Sequence, residues 1–241
     1  MAAARVDMNP HQVDASLFAL RSPLSKGVLL ADEVGLGKTI EAGLVIAQRW
    51  AEQKRQILLI TPASLRKQWQ QELVEKFSLA STIIEANTYK ELRAKGHARP
   101  FGAIRGVIIS SYEFAARKAD ELRAVDWDLV VIDEAHRLRN VYKKGVSSRA
   151  KDLKAALQER FKVLLTATPL QNSLMELYGL VSIIDDNHFG GEDSFKTLYA
   201  GSKANVAALE ALRERLRPVC HRTLRKQVQQ AGHINFTRRL T

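Results

Sequence analysis

The chain has 241 residues, and its 46% hydrophobic content is enough to bury the core of one large domain or two small ones. Its single cysteine, Cys220, excludes an internal disulfide; residues 1–10 lack the apolar core of a signal peptide; and the longest apolar stretch, residues 177–184, is too short to span a bilayer. We therefore expect a cytoplasmic globular protein without a membrane segment. The 37 Lys and Arg against 26 acidic residues give a formal charge of +11, which favours a polyanionic partner, although such an excess is more often only a solvated surface.

The first predicted element is a helix over residues 9–20, with Val13, Leu17 and Leu20 on one face. Gln12 lies within it and offers an amide donor and acceptor together, which is the combination needed to read the edge of adenine. The helix alone favours a simpler interpretation, in which Gln12 is a polar residue on the exposed side.

A glycine-rich loop follows the first predicted strand. After a turn at residues 22–25, residues 27–31 predict a short buried strand, and residues 39–47 carry apolar side chains at helical spacing. The run Ala-Asp-Glu-Val-Gly-Leu-Gly-Lys-Thr connects the two. In such a loop the backbone N–H groups and the positive end of the following helix surround phosphates.

The GxGKT half of this loop predicts that its residues bind a nucleotide triphosphate. Gly35 and Gly37 belong to the phosphate cradle, Lys38 reaches the β- and γ-phosphates, and the Thr39 hydroxyl binds Mg²⁺. The strict GxxxxGK[ST] pattern fails at Asp32, which stands where the first glycine belongs. The alternative is a glycine-rich turn that only caps an ordinary helix.

A second buried strand is predicted over residues 56–62, and an amphipathic helix follows over residues 63–77. The helix repeats large apolar side chains every four residues, so Trp69 is predicted to lie in the core and not to form a stacking platform. The side chains expected to face the sheet are Leu65, Trp69, Leu73 and Phe77.

Two predicted strands end in hydroxyl-bearing residues. The second of them, residues 107–112, comes after a short strand at 81–86, a helix at 89–95 and a loop at 96–106. Open α/β sheets bind ligands at the carboxyl ends of their strands, so we expect these residues to form a track for a phosphate backbone. This predicted nucleic-acid track consists of Thr61, Pro62, Ser64, Ser110, Ser111 and Tyr112.

An acidic pair follows the buried strand predicted over residues 128–132. Two adjacent carboxylates behind four apolar residues are costly unless a cation or a reaction needs them. We predict that Asp133 holds Mg²⁺ and that Glu134 orients and deprotonates the attacking water. The alternative, an acidic start to a helix, explains the carboxylates but not their occurrence together with the GxGKT loop.

A last buried stretch, residues 161–169, also ends in hydroxyls and a proline. Lone hydroxyls at a strand end are usually turn formers. Here Thr166 and Thr168 are expected at the same edge as Asp133 and His136, where hydrogen bonds pass the state of the nucleotide to the nucleic-acid track.

Four motifs in this order and spacing, DEVGLGKT, TPASLRKQW, DEAHRLRN and LTATPLQN, resemble the first motor lobe of superfamily 2 helicase-like ATPases, in particular the Swi/Snf-type translocases. Residues 170–172 and 176–180 are also similar to that family's pattern. So are residues 216–218 and 222–228, which correspond to the segment between the family's two lobes. The sequence DEVGLGKTIEAG resembles the family's bacterial branch, which includes an RNA-polymerase-associated member and phage-defence relatives.

The resemblance implies roles for the matching residues. Gln12 corresponds to the adenine-reading glutamine, so the resemblance favours that role over an exposed polar residue. Lys38 and Thr39 correspond to the phosphate and Mg²⁺ residues, and Asp133 and Glu134 to the metal ligand and the base. The implied cofactors are ATP and Mg²⁺, and the implied partners are double-stranded DNA and a protein such as RNA polymerase or a defence-system component. The positions that couple hydrolysis to movement correspond to His136, Thr166 and Thr168.

The expected fold is α/β, a RecA-like P-loop NTPase lobe with a mostly parallel sheet and helices on both faces. We expect this lobe over residues 1–190 and a mainly helical inter-lobe segment over residues 191–241, with Val206, Leu209, Leu212 and Leu216 forming an apolar stripe. The family's second lobe supplies arginine fingers, and nothing in this sequence resembles that lobe. We therefore expect an N-terminal fragment whose second motor lobe is missing.

Three functional hypotheses remain at this point. The first is one lobe of a motor that, when complete, moves along double-stranded DNA. The second is a strand-separating DNA or RNA helicase with the same ATPase core. The third is a non-catalytic module that binds a nucleotide and a nucleic acid.

Overall fold

A single sheet forms the centre of the structure. The computed structural model describes residues 8–21, 26–143, 145, 148–201 and 206–230, so the predicted turn at 22–25 lies outside the described residues. The strands are β1 (Gly27–Leu30), β2 (Gln56–Thr61), β3 (Ser81–Ile83), β4 (Gly106–Ser111), β5 (Leu129–Ile132), β6 (Lys162–Leu165) and β7 (Cys220–His221). Within the described ranges all seven are parallel, in the order β3-β4-β2-β5-β6-β1-β7.

Helices connect these strands. They are α1 (Pro10–Arg21), α2 (Lys38–Ala51), α3 (Arg66–Phe77), α4 (Ala86–Ala94), α5 (Pro100–Ala103), α6 (Tyr112–Arg117), α7 (Ala119–Arg123), α8 (Ser148–Leu157), α9 (Leu174–Ile184), α10 (Glu192–Phe195), α11 (Val206–Leu216) and α12 (Arg225–Gln230). Short 3-10 turns occur at Ala63–Leu65 and Ala135–Leu138, and a π-helical turn at Lys196–Ala200. Among the described helices, none combines the length and the apolar character needed to cross a membrane.

Both faces of the sheet are buried, as the alternation along β2 makes clear. Ile57 and Leu59 point to one core, which includes residues of α1, α2 and α3. Leu58 and Ile60 point to the other core, which includes residues of α5 to α9. Successive side chains of a strand face opposite sides, so a sheet covered by helices on both faces needs continuous apolar strands. The predicted α/β fold is therefore confirmed.

The strand order brings four predicted site segments to one edge. Strands β2, β5, β6 and β1 are consecutive neighbours in the sheet, and Ile60 pairs with Ile132, Ile132 with Leu164, and Leu165 with Leu30. The residues that follow these four strands therefore lie side by side at the carboxyl edge. This is where open α/β sheets place their ligand sites.

Helix α1 turns a different face inward from the one predicted. Val13, Leu17 and Leu20 are only partly buried. The reason is that α1 packs closely on α2, where Ser16 donates a hydrogen bond to the carbonyl of Glu41 at 3.0 Å. Small and polar side chains permit this close approach, and the buried ones are His11, Gln12, Ala15, Ser16 and Ala19.

The described residues after 190 are mainly helical, as expected, but they also add strand β7 to the sheet. Strand β7 pairs with β1, and the N–H of Ala31 donates to the carbonyl of His221 at 2.8 Å. The predicted apolar stripe is only partly buried, because Leu212 is 4% exposed whereas Val206 is 73% exposed. The division of the chain at residue 190 stays a prediction.

Candidate nucleotide-binding and hydrolysis site

The loop between β1 and α2 needs glycine at two positions. The backbone angle φ is +84° at Gly35 and +90° at Gly37, in the left-handed region that other residues rarely adopt. A Cβ atom on Gly37 would lie 2.3 Å from Nε2 of Gln12, and one on Gly35 would lie 2.4 Å from the guanidinium of Arg225. The backbone conformation therefore strongly favours glycine at both positions, and a side chain there would also displace Gln12 or Arg225.

Helix α1 holds this loop through two neighbouring side chains. The Nε2 atoms of His11 and Gln12 each lie 2.9 Å from the carbonyl oxygen of Leu36, and Oε1 of Gln12 accepts the N–H of Asn9 at 3.1 Å. Gln12 is 5% exposed, so the interpretation as an exposed polar residue is wrong. The sequence had not singled out His11. His11 is connected with the adenine-reading hypothesis only because it contacts the same loop carbonyl as Gln12.

Lys38 lies inside the loop, close to the predicted acidic pair. Its ammonium donates to the carbonyl of Asp32 at 2.8 Å, and the carbonyl of Glu33 lies at 3.4 Å. Burial lowers the pKa of Lys38, and the negative charges of Glu41, Glu134, Asp32 and Asp133 oppose that shift. The chain thus brings the lysine and the two acidic residues after β5 into one electrostatic neighbourhood.

Three donors fix the Asp133 carboxylate. Its Oδ2 accepts from the indole of Trp69 at 2.8 Å and from the hydroxyl of Thr61 at 3.0 Å, and its Oδ1 accepts the N–H of Glu134 at 2.9 Å. A carboxylate has about four acceptor positions, so one stays open for a cation or its bound water. The hydroxyl of Tyr112 donates to the backbone carbonyl of Asp133.

Glu134 begins a short relay. Its φ of +52° places a non-glycine residue in the left-handed region, a strain of about 1–3 kcal/mol that is typical of functional sites. Its Oε2 lies 3.0 Å from Nδ1 of His136, and that nitrogen is 3.4 Å from the hydroxyl of Thr166. The Thr166 hydroxyl accepts the N–H of Thr168 at 3.2 Å. The structure therefore brings together all the residues predicted to couple hydrolysis to movement.

A second acidic pair lies behind the loop. Asp32 and Glu41 are both fully buried. Burial raises the pKa of Glu41 to about 9; the charge of Asp32 adds to this effect, and that of Lys38 opposes it. The burial of two adjacent carboxyl groups therefore disfavours the charged form of Glu41.

A buried glutamate of α9, which lies within the family pattern of residues 176–180, holds the loop after β6. Glu176 is 5% exposed, and its Oε2 accepts the N–H groups of Gln171 and Asn172 at 3.0 and 3.1 Å. Burial alone would raise the pKa of this carboxyl, but these hydrogen bonds outweigh it and lower the pKa. Glu176 thus anchors the segment that follows Thr168.

These residues fit a triphosphate with a magnesium ion. Gly35 and Gly37 place no side chain over the loop backbone, and the nearest side chains, those of Arg225 and Gln12, are polar. The hydroxyl of Thr39 and the open position on Asp133 are oxygen donors, which Mg²⁺ prefers. Lys38 supplies a positive charge in the same loop.

The predicted nucleic-acid track requires a correction. Thr61 and Ser110 are 0% exposed, and their hydroxyls donate to Asp133 and to the carbonyl of Ile84. Ser111 caps α6 by accepting the N–H of Phe114 at 3.2 Å. These hydroxyls form hydrogen bonds with polar groups of the protein and do not point to solvent. The hydroxyl of Tyr112 does not point to solvent either. In the predicted set, Pro62 is buried as well, and Ser64 is the exposed residue.

The indole of Trp69 offers a direct test of how Asp133 is positioned. Trp69 is 3% exposed, so its predicted burial is confirmed, but its hydrogen bond to Asp133 was not predicted. We expect Trp69→Phe to raise the Mg²⁺ concentration needed for ATP binding several-fold, because Asp133 loses one of its three donors, and to cost about 1 kcal/mol of stability. Nucleotide titrations at a series of Mg²⁺ concentrations, with thermal unfolding, measure both.

Trp127→Phe is the matched control. The Trp127 indole donates to the carbonyl of Leu122 at 2.9 Å, within the other core. The control should lose similar stability without any change in the Mg²⁺ requirement. An equal shift in both variants would mean that Trp69 acts only through the stability of the fold.

The fold and the site together define a P-loop nucleotide-binding lobe with an acidic pair at the neighbouring strand end. The chain belongs to the SNF2-related domain family, whose model matches residues 11–237. The predicted resemblance is confirmed at the level of this family. The narrower placement in its bacterial branch stays a prediction.

Relatives with names and structures agree with this assignment. "Uncharacterized ATP-dependent helicase YqhH" of Bacillus subtilis (strain 168) is 33% identical over 219 residues, which are 90% of this chain and 36% of that protein. The Sulfolobus solfataricus SWI2/SNF2 ATPase core in complex with dsDNA has a TM-score of 0.78 at 23% identity, and covers 96% of this chain and 47% of its own. The Sulfolobus solfataricus SWI2/SNF2 ATPase core domain gives 0.76 at 22% identity, with 96% and 46% covered. The chain therefore spans less than half the length of these relatives.

Proposed function

We propose that this chain is the ATP-binding lobe of a two-lobed ATPase that moves along double-stranded DNA. The observation that supports this most directly is the position of Lys38 within the electrostatic reach of Asp133 and Glu134. Membership of the SNF2-related domain family supports the use of a nucleotide. The division into a lobe over residues 1–190 and an inter-lobe segment over 191–241 belongs to the same proposal.

Each residue of the site has a role in this proposal. Lys38 binds the β- and γ-phosphates, and Thr39 and Asp133 hold Mg²⁺, which when bound neutralises phosphate charge. Glu134 accepts a proton from the attacking water. Gln12 reads adenine by exchanging its bonds to Asn9 and Leu36 for bonds to the base.

The relay connects the base to the neighbouring loop. When Glu134 takes up a proton, its interaction with His136 weakens, and the hydrogen bond between His136 and Thr166 adjusts. Thr168 is exposed and bonded to Thr166, so the change reaches the surface. We propose this as the path from hydrolysis to movement.

Double-stranded DNA is the proposed partner. The formal charge of +11 favours a polyanion, and one solved relative is a complex with dsDNA. Because the track hydroxyls are buried, contact at this edge is proposed through exposed Ser64 and neighbouring backbone groups. A protein partner such as RNA polymerase or a defence-system component remains a sequence-based expectation.

The 241 residues alone are expected to bind ATP weakly and to hydrolyse it at least about a thousandfold more slowly than a two-lobed protein, because arginine fingers supply a factor of that order. Phosphate release, measured with and without double-stranded DNA, tests this. The two-lobe argument fails if the chain alone shows DNA-stimulated hydrolysis comparable to that of a two-lobed motor. Binding of ATP without hydrolysis is the behaviour that the third hypothesis, a non-catalytic binding module, describes.

Displacement assays on a protein that carries both lobes distinguish translocation along DNA from strand separation. We expect this protein to displace a triplex-forming strand from double-stranded DNA, because movement along the duplex removes a bound third strand. We expect no displacement of a paired strand from a partial duplex. Efficient unwinding in the same buffer and at the same ATP concentration would favour the helicase alternative.

A further inference from the structure

The chain returns to the P-loop after almost two hundred residues. Strand β7 runs beside β1, where the N–H of Leu29 donates to the carbonyl of Val219 at 2.7 Å. The chain then continues along the loop that connects β1 to α2. We call residues 221–225 the strap.

Two acidic side chains of the loop bind the backbone of the strap. Oδ1 of Asp32 accepts the N–H of Thr223 at 2.6 Å, and Oε2 of Glu33 accepts the N–H of Arg225 at 2.9 Å. The N–H of Glu33 in turn donates to the carbonyl of Thr223 at 3.2 Å. This gives a physical reason for the departure from the strict glycine pattern, since a glycine at position 32 could not accept the Thr223 N–H.

The strap also reaches the glycine-rich turn itself. Nε of Arg225 donates to the carbonyl of Val34 at 2.7 Å, and its guanidinium lies against Gly35. On the other side of the same turn, His11 and Gln12 bind the carbonyl of Leu36. The turn is therefore held between α1 and the strap.

The residues held by the strap are also those that hold the phosphate-binding lysine. Lys38 donates to the carbonyls of Asp32 and Glu33, whose side chains bind the strap. A shift of the strap therefore moves the backbone atoms that set the position of the ammonium. Rigid support of this kind determines how accurately a site presents its charged groups.

We propose that Asp32, Glu33 and Arg225 are positioning residues that fasten the P-loop to the strap and thereby set the geometry with which Lys38 receives the triphosphate. This deepens the proposed function and rests on it, since it concerns the same nucleotide site. It adds that nucleotide affinity depends on Arg225, which lies far along the chain and outside the phosphate motif.

Titration of the 241-residue chain with a fluorescent ATP analogue and Mg²⁺ tests the proposal. Asp32→Ala and Arg225→Ala should each weaken binding about tenfold, which corresponds to the loss of a hydrogen bond made by a charged group. Asp32→Asn keeps an acceptor for Thr223 and should recover most of the affinity lost in Asp32→Ala. Arg225→Lys keeps the charge without the directed Nε bond and should bind as weakly as Arg225→Ala.

The controls separate positioning from charge and from folding. Arg213→Ala removes one exposed positive charge on α11 and should bind like the unchanged chain. Hydrogen exchange should speed up at the loop amides of Asp32→Ala and Arg225→Ala, with the exchange of β4 unchanged. The proposal is overturned if Arg225→Lys binds normally, because charge alone then suffices, or if both alanine variants bind normally while Lys38→Ala does not. Absence of binding by the unchanged chain would overturn the proposed function, and this inference with it.

Discussion

Lys38→Ala is expected to abolish measurable ATP binding, with an affinity at least about a hundredfold lower than that of the unchanged chain. The substitution removes the ammonium that faces the phosphates. It also removes the positive charge near the carboxylates of Asp32, Asp133 and Glu134. Titration with a fluorescent ATP analogue in the presence of Mg²⁺ measures the effect.

The matched control for this loss is Lys67→Ala. Lys67 is exposed on α3, so its removal changes the net charge by the same amount without touching the loop. Thermal unfolding of both variants checks that the fold is intact. If Lys38→Ala bound ATP as well as the control did, the glycine-rich loop would be a helix cap and not a phosphate site.

Glu134→Gln is expected to lower ATP hydrolysis by about a hundredfold to ten-thousandfold in a protein that carries both lobes, while ATP still binds. The amide keeps the size of the side chain but cannot take up the proton of the attacking water. The backbone at this position and the N–H bond to Asp133 do not depend on the carboxylate, so the metal side of the site stays in place. Single-turnover hydrolysis and nucleotide titration separate chemistry from binding.

Glu159→Gln serves as the control for this substitution. Glu159 makes an exposed ion pair with Lys26, at the opposite ends of β1 and β6 from the site. Its rate should equal that of the unchanged protein. A normal rate in Glu134→Gln would remove Glu134 from the role of base and leave it as part of a structural turn.

The sequence was sufficient for the parts of the fold and site that depend on local pattern. Continuous apolar strands predicted a buried parallel sheet, and the GxGKT run predicted the turn in which Gly35 and Gly37 adopt positive φ. The pairing of Lys38 with Asp133 and Glu134 followed from motifs that lie almost a hundred residues apart. Strands β1, β6 and β5 are neighbours, so both motifs lie at the same sheet edge.

The misplaced predictions depend on tertiary partners that no local pattern reports. Hydrophobicity selected Val13, Leu17 and Leu20 as the inner face of α1, yet the close contact with α2 and the loop favours small and polar side chains. The hydroxyls of Thr61 and Ser110 were expected to contact a phosphate backbone, but each is directed to an acceptor within the protein. A rule that a buried indole N–H seeks a partner could have indicated that Trp69 bonds to a site residue, though not which one.

Strand β7 has two residues, too few for any periodicity to predict. Its pairing with β1 joins Leu29 to Cys220 and Leu30 to His221. During translation the P-loop emerges from the ribosome long before these partners exist. A nascent chain must therefore add almost two hundred residues after β1 before the glycine-rich turn acquires its last partners, so this turn matures well after its own synthesis.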